Sequence, residues 1–368
     1  MIPGDTAMTA YMKLYLSLRE KITGHMYRFG QKLPSKRQLA EESGVSVITV
    51  EHAYDLLSEE GYVESRQRSG YFVIYKETDA YPVGRTHSPK GRGIIGTVPV
   101  EQREEGERDL FPFSQFAKTM RYVLSLYGDK ILDPSPRQGC LELREAIASY
   151  LGRSRNMAVS PEQILIGSGA EYLYGLNVQV LGRSLMYALE NPSYGKIRKV
   201  YEANGAAVEL LSMGEEGILT EELERSRSTV LHVTPFNSYP SGITASASKR
   251  AEYIRWAEDR EGTIIEDDFD SEFTLLSKPE DTLFSLAPEG PVIYMNTFSK
   301  TIAPSVRVGY LVLPPCRIGA YEEKVGFYSC TVPVFDQLVL AEFIDQGHFE
   351  RHINRVRRRR KKRDQQER

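Results

Sequence analysis

The chain has 368 residues, 41% apolar and 26% charged, with a formal net charge of −3. That length calls for two or three domains, and the near-neutral balance excludes a polycation, so any nucleic-acid binding must come from a local basic patch. Three cysteines, Cys140, Cys316 and Cys330, form no C-x-x-C pair and have no histidine at zinc-finger spacing, which argues against a disulfide framework or a metal site and fits a reducing cytoplasm. No run of about 18 apolar residues predicts a membrane span, and "MIPGDTAMTAY" lacks the basic start and apolar core of a signal peptide.

Tyr11, Leu14, Tyr15, Leu18 and Ile22 recur at helical spacing and predict an amphipathic first helix. In "LPSKRQLAEESG", Ser35 followed by Gln38 has the pattern of a capping box and Gly44 is a natural stop. "VSVITVEHAYDLLSEEG" repeats the plan: Ser46 caps, Val47, Val50, Tyr54 and Leu57 form the buried stripe, and Gly61 ends the helix. Two helices joined by a tight turn make a helix-turn-helix. "YVESRQRSGYFVIY" then reads as a hairpin with a basic tip, a wing. Lys36, Arg37, Ser46, Thr49, Arg66 and Arg68 fall on one candidate DNA-facing side, the cations for phosphates and the short polar groups for base edges. Residues 1–76 hold 10 Lys and Arg against 9 acidic residues, so only the patch is basic.

Residues 77–109 lack periodicity and are rich in charge, Gly and Pro, which predicts a linker. Fully extended it reaches roughly 110 Å, enough to place the first domain on a neighbouring subunit. The alternative is an ordered arm, for which "GIIGTVPV" is suited.

From about Leu110, strand and helix signals alternate. "QILIG", "SLMYALE", "AAVELLS", "TVLHVTP", "TIIEDDF", "PVIYMNT" and "VGYLVLP" read as strands, with helices at "SGAEYLYGLNVQVLG", "YGKIRKVYEANG" and "ASKRAEYIRWAEDREG". This is the pattern of an α/β domain with a mostly parallel sheet, whose ligands bind beyond the strand carboxyl ends. Polar clusters stand at those ends: "GSGAE", "ENPSY", "TPFNSYPSG", "EDDFDSEF" and "TFSK". Ser168, Gly169 and Ala170 lie where a strand turns into a helix, a place suited to a phosphate. Asp267 ends a strand, Lys300 could form a Schiff base, and Arg307 could add a phosphate contact. A Schiff-base lysine, a carboxylate for a pyridinium nitrogen and a phosphate cup are what pyridoxal phosphate requires. Taken singly, each has a plainer reading. Lys300 could be a loop lysine, Tyr194 plain core, and "EDDFDSE" a surface acidic turn, since it lacks EF-hand spacing.

Residues 10–76 resemble the GntR-type winged helix, and the motif order after Leu110 is similar to fold type I aminotransferases. Together the chain resembles the MocR/GabR subfamily of GntR regulators. The resemblance implies a multi-domain fold: a winged helix-turn-helix (α+β) at 1–76, a linker at 77–109, an α/β PLP-dependent transferase domain at 110–345, and at 346–368 the start of a small C-terminal domain that is largely missing. It implies DNA contacts by Arg37 and Arg68; Val47 stands where relatives often have an arginine. It further implies that Lys300 holds pyridoxal phosphate as an aldimine and Asp267 pairs with the pyridine nitrogen. Tyr194 would stack on the ring, and Ser168, Gly169, Ala170, Thr297 and Arg307 would hold the phosphate. Phe269 replaces the usual tyrosine donor to the phenolic oxygen; Asn237 or Tyr239 could compensate, or the cofactor could be tuned differently.

The implied function is a bacterial, cytoplasmic regulator. It would bind double-stranded operator DNA and sense an amino compound through aldimine exchange at Lys300, as a head-to-tail homodimer. The alternatives are an aminotransferase with an appended DNA-binding domain, and a winged-helix repressor whose large domain has lost the cofactor. The basic run 357–363 reads as a solvated helix face.

Overall fold

The computed structural model describes residues 9–66, 69–76, 111–269, 271–273 and 280–366. The chain divides into two compact units, 1–100 and 101–368, each with its own core. The predicted linker 77–109 and the wing residue Arg68 lie outside the described residues.

In the first unit, α1 (Ala10–Thr23), α2 (Lys36–Ser43) and α3 (Val47–Glu59) precede an antiparallel hairpin of β1 (Val63–Arg66) and β2 (Gly70–Val73), in register Val63↔Val73. Ser35 Oγ accepts the Gln38 N–H and Ser46 Oγ accepts the Thr49 N–H, so each helix start has one free donor satisfied by the predicted serine. Only half of the expected capping box forms, because the Gln38 side chain turns forward to Glu42. Gly44 closes α2 at φ 65°, where a Cβ would be strained. Tyr15, Leu18, Ile22, Val50, Ala53, Tyr54 and Leu57 form the core, and Tyr54 Oη donates to the Pro34 carbonyl at 2.8 Å. Val47 departs from the predicted stripe: it is 42% exposed, beside Ile48 at 65%. It occupies the first turn of α3, at the rim, and Val45, ahead of the cap, packs against the core instead.

The second unit is built on an eight-stranded sheet. Its strands are β3 (Ile164–Gly167), β4 (Met186–Asn191), β5 (Ala207–Gly214), β6 (Gly217–Ile218), β7 (Val230–Val233), β8 (Thr263–Asp267), β9 (Val292–Thr297) and β10 (Gly309–Val312). Their spatial order is β3-β10-β9-β8-β7-β4-β5-β6. The central run β9-β8-β7-β4-β5 is parallel; β10 is antiparallel to β3 and β9, and β6 to β5. The helices are α4 (Phe113–Tyr127), α5 (Leu141–Arg155), α6 (Ala170–Leu181), α7 (Gly195–Ala203), α8 (Thr220–Arg225), α9 (Ala247–Asp259), α10 (Leu283–Leu286), α11 (Phe298–Thr301), α12 (Pro315–Val325), α13 (Val334–Asp345) and α14 (His348–Gln366).

Both sheet faces are covered, and the two-residue period of a strand divides its side chains between two cores. Along β9, Val292 and Tyr294 join one core while Ile293 and Met295 join the other. This double burial explains the nearly continuous apolar runs of the central strands. Parallel direction also brings the last residues of β4, β7, β8 and β9 to one edge of the sheet, where Asp267 is level with Met295, and Gly167 and Thr297 both pair with Gly309. The basic face of α14 is largely solvated, yet Arg357 donates to the Glu272 carbonyl and the Arg360 guanidinium lies 4.4 Å from the Phe273 ring centroid. Among the described residues no helix is long and apolar enough to cross a membrane.

Candidate functional site

Asp267 is the last residue of β8 and only 2% exposed. Tyr174, from α6, donates its hydroxyl to Asp267 Oδ2 at 2.5 Å. His232, on the neighbouring β7, places Nε2 3.6 Å from the same oxygen, and its Nδ1 lies 2.7 Å from Tyr201 Oη. Burial, reinforced by the Asp267 carboxylate, pushes the Tyr174 hydroxyl well above its usual range, so it remains a donor. Among the described residues, Asp267 Oδ1 has no hydrogen-bond partner although it is buried. Such an oxygen costs free energy until a donor meets it. A protonated pyridine nitrogen is a donor of the right kind, and the residues present fit pyridoxal phosphate in this respect.

Lys300 is the third residue of the single-turn helix α11, which β9 delivers to the same sheet edge. Its side chain is exposed, and Nζ lies 4.7 Å from the ring centroid of Phe269, two residues beyond Asp267. The phenylalanine in place of a tyrosine thus gives the lysine an aromatic face rather than a hydroxyl. Thr297, buried at the end of β9, is the residue from which α11 starts.

Gly167–Ala170 turns from β3 into α6. Gly169 has φ 89°, and a Cβ there would lie 3.3 Å from Arg307 Cζ. Glycine therefore serves twice, permitting the turn and letting the guanidinium lie against the backbone. Ala170 opens α6, whose first N–H groups have no partner within the helix. The Ser168 N–H is directed elsewhere, to Thr331 Oγ1 at 3.2 Å. Arg307 Nη2 donates to Glu171 Oε2 at 2.8 Å, and Lys196 Nζ lies 3.4 Å from Glu171 Oε1.

Tyr194 precedes α7, and its ring meets that of Tyr239 edge-on at 6.2 Å; Lys196 Nζ is 5.7 Å from the Tyr194 ring centroid. Asn237 is exposed at φ 49° with its N–H on Thr244 Oγ1, and Tyr239 is 55% exposed. Between them Ser238 turns inward and donates to the buried Glu190 at 2.7 Å. Burial, with the Asp267 charge adding to it, pushes the Glu190 carboxyl up to about 8.

One chain of contacts thus runs Gly169–Arg307–Glu171–Lys196–Tyr194–Tyr239, and Lys300 meets Phe269 beside Asp267. Sequence reasoning missed Tyr174, His232, Glu190 and Glu171. Glu171, in the quoted "GSGAE", and Glu190, in the quoted "ENPSY", stood in polar clusters already singled out; Tyr174 and His232 did not. Of the other described acidic residues of "EDDFDSE", Glu266 accepts the Leu283 and Phe284 N–H groups, Asp268 Oδ2 lies 3.1 Å from buried Arg155 and accepts from Tyr294 at 2.8 Å, and Glu272 accepts from Asn296 at 2.7 Å.

On the first unit, Arg37 is exposed at the start of α2. Lys36 is bonded to Glu51 at 2.5 Å and lies 5.6 Å from the Tyr71 ring centroid. Ser46 Oγ and Thr49 Oγ1 are 2.9 Å apart, so both hydroxyls at the start of α3 are occupied with each other and with the cap. Arg66 pairs with Glu64 at 2.7 Å and stacks 4.5 Å over Phe72.

Comparison with known proteins matches residues 10–73 to the bacterial regulatory proteins of the gntR family and residues 110–366 to aminotransferase class I and II. The HTH-type transcriptional regulator YdeL of Bacillus subtilis is 35% identical over 359 residues, covering 94% of this chain and 76% of its own length. The probable rhizopine catabolism regulatory protein MocR of Rhizobium meliloti is 31% identical over 380 residues, covering 96% and 75%. The pyridoxine biosynthesis regulator PdxR of Corynebacterium glutamicum is 30% identical over 329 residues, covering 89% and 71%. Among solved structures, kynurenine aminotransferase of Pyrococcus horikoshii superposes with a TM-score of 0.62 at 26% identity over 68% of this chain. The α-aminoadipate aminotransferase LysN of Thermus thermophilus gives 0.60 at 29% identity, also over 68%. The matched region spans 64% of each of those two aminotransferase chains.

Proposed function

This chain belongs to the MocR-type GntR transcriptional regulators, a helix-turn-helix domain joined to an aminotransferase-like domain, and from that premise we propose that it binds operator DNA and responds to an amino compound through pyridoxal phosphate held at Lys300. The observation that carries the cofactor reading is the buried, unpartnered Oδ1 of Asp267 at the sheet edge that also bears Lys300. When bound, pyridoxal phosphate supplies an aldehyde that condenses reversibly with primary amines and a ring that withdraws electrons.

The chain's own residues then have separate tasks. Lys300 offers the amine. Asp267, oriented by Tyr174, would hold a proton on the pyridine nitrogen. Tyr194 would cover the ring, while Ser168, Gly169, Ala170, Thr297 and Arg307 would receive the phosphate. Asn237 or Tyr239 would supply the donor that Phe269 lacks. A primary amine would compete with Lys300 for that aldehyde, and a Lys300 side chain left free to make other contacts would bias the affinity for DNA. Arg37 and Arg68 contact phosphates, with Lys36, Ser46, Thr49 and Arg66 around them. The working form in this reading is a head-to-tail homodimer in the bacterial cytoplasm.

The test is operator binding titrated with pyridoxal phosphate and a panel of amines, for the wild type and Lys300→Ala. An amine-dependent change in affinity that Lys300→Ala abolishes supports the reading; identical behaviour of the two proteins contradicts it. The aminotransferase alternative predicts steady product formation from an amino acid and a keto acid.

A further inference from the structure

Glu171 is placed where an acidic side chain works against the phosphate cup. It lies in the first turn of α6, one residue after the Ala170 that opens the helix, and a dianion received there would face a like charge. Its carboxylate also takes the Nη2 donor of Arg307 at 2.8 Å, and the Arg307 guanidinium is the one pressed over Gly169. Lys196 stands on the other side, with Nζ 3.4 Å from the second carboxylate oxygen. Glu171 therefore has two cationic partners, one inside the cup and one at its edge.

We propose that Glu171 is an intramolecular competitor for the anion seat: a phosphate monoester takes Arg307 by displacing the Glu171 carboxylate, which Lys196 then retains. The proposal rests on the reading of Gly169, Ala170 and Arg307 as the phosphate cup and adds the regulation of that cup. Arg307 cannot direct Nη2 to a carboxylate and to a phosphate oxygen along the same line. Two anions sharing one guanidinium also repel. All three side chains are roughly half exposed, so each pair is weak enough to exchange and its energy is that of a screened surface ion pair. The Arg307 and Lys196 charges outweigh the effect of partial burial and keep the Glu171 carboxyl below its ordinary range, so the competitor is ionised at neutral pH. The consequence is a cofactor that is held loosely at its phosphate end and exchanges readily.

The experiment measures binding of inorganic phosphate by calorimetry and, in parallel, of pyridoxal phosphate and of pyridoxal by visible absorbance. Glu171→Gln keeps size and hydrogen bonding but removes the charge. It is expected to bind inorganic phosphate and pyridoxal phosphate about three- to tenfold more tightly than the wild type, with pyridoxal unchanged. Lys196→Ala is expected to move the first two the other way, because Glu171 loses its second partner. Weaker phosphate binding by Glu171→Gln would show that Glu171 positions Arg307 for the anion and would overturn the proposal. So would an equal shift for pyridoxal phosphate and pyridoxal, or no shift in either variant. The cofactor reading is judged separately: tighter inorganic phosphate binding by Glu171→Gln without any Lys300-dependent absorbance upholds the competition and removes the cofactor.

Discussion

Tyr174 donates to Asp267 Oδ2 at 2.5 Å and leaves Oδ1 as the buried oxygen without a partner. A helix residue and a strand-end residue 93 positions apart thus divide one carboxylate into an anchored half and an available half. Tyr174→Phe removes the anchor and nothing else of comparable size. A hydrogen bond to a charged group contributes about 1.5–3 kcal/mol. Pyridoxal phosphate affinity, followed by absorbance titration, is therefore expected to fall roughly tenfold or more in Tyr174→Phe. Asp267→Asn, which removes the charge itself, should fall further.

Glu190 gives a pH signature. Its carboxyl is raised from an ordinary 4.5 to about 8 in the folded protein, chiefly by burial. Between those values the folded state holds a proton that the unfolded state has released, so stability falls as pH rises through that window. Glu190→Gln cannot ionise and should lessen the slope by at most about 1.4 kcal/mol per pH unit. Glu266, raised to about 8, and Glu272, raised to about 7, act in the same direction, so a slope remains. Thermal unfolding at several pH values from 5 to 8 checks this. A parallel displacement of the wild-type and variant curves contradicts it.

The pair Arg155–Asp268 is completely enclosed, with nitrogen and oxygen 3.1 Å apart. Arg155→Ala removes the cation beside the buried Asp268 and leaves Tyr294, among the described residues, as its side-chain hydrogen-bond donor. Removing one partner of such a pair costs about 3–5 kcal/mol. Denaturant unfolding is expected to show a loss of that order, whereas the exposed pair Arg198–Glu202, broken as a control, should change stability by less than about 1 kcal/mol.

DNA binding should separate exposed from internally paired cations. Arg37 is exposed, while Lys36 and Arg66 already have carboxylate partners. Arg37→Ala and Arg68→Ala should each weaken binding on all sequences and reduce the slope of log affinity against log salt by about one phosphate. Lys36→Ala should have a smaller effect, because Glu51 already neutralises it. Titrations at three salt concentrations are sufficient to check the order.

The sheet strands, and the placement of Asp267 and Thr297 at the ends of two of them, were legible because fully buried parallel strands leave apolar runs that end in polar clusters. "TIIEDDF" ending at Asp267 and "PVIYMNT" ending at Thr297 are the clearest cases. The supporting residues were not legible. Tyr174 and Tyr201 sit at ordinary core positions of amphipathic helices, and His232 inside an apolar strand, so nothing local marks their hydroxyls and ring nitrogens as polar partners. Which polar atoms meet is decided by the packing of α6 and α7 against β7 and β8, and this is a long-range property. Val47 failed for a related reason: helical angle alone put it in the stripe, but its position in the first turn left it at the rim. Arg357 and Arg360 likewise belong to a basic run whose pattern is that of a solvated face, and only the Glu272–Phe273 segment draws them inward.

The central claim is that Lys300 forms the covalent link to pyridoxal phosphate. The most direct measurement is borohydride reduction of the protein with pyridoxal phosphate, followed by mass mapping of the modified peptide, with Lys300→Ala as control. One dominant adduct on Lys300 and loss of the visible band in Lys300→Ala are expected. A dominant adduct on another lysine, or an undiminished band in Lys300→Ala, would contradict it.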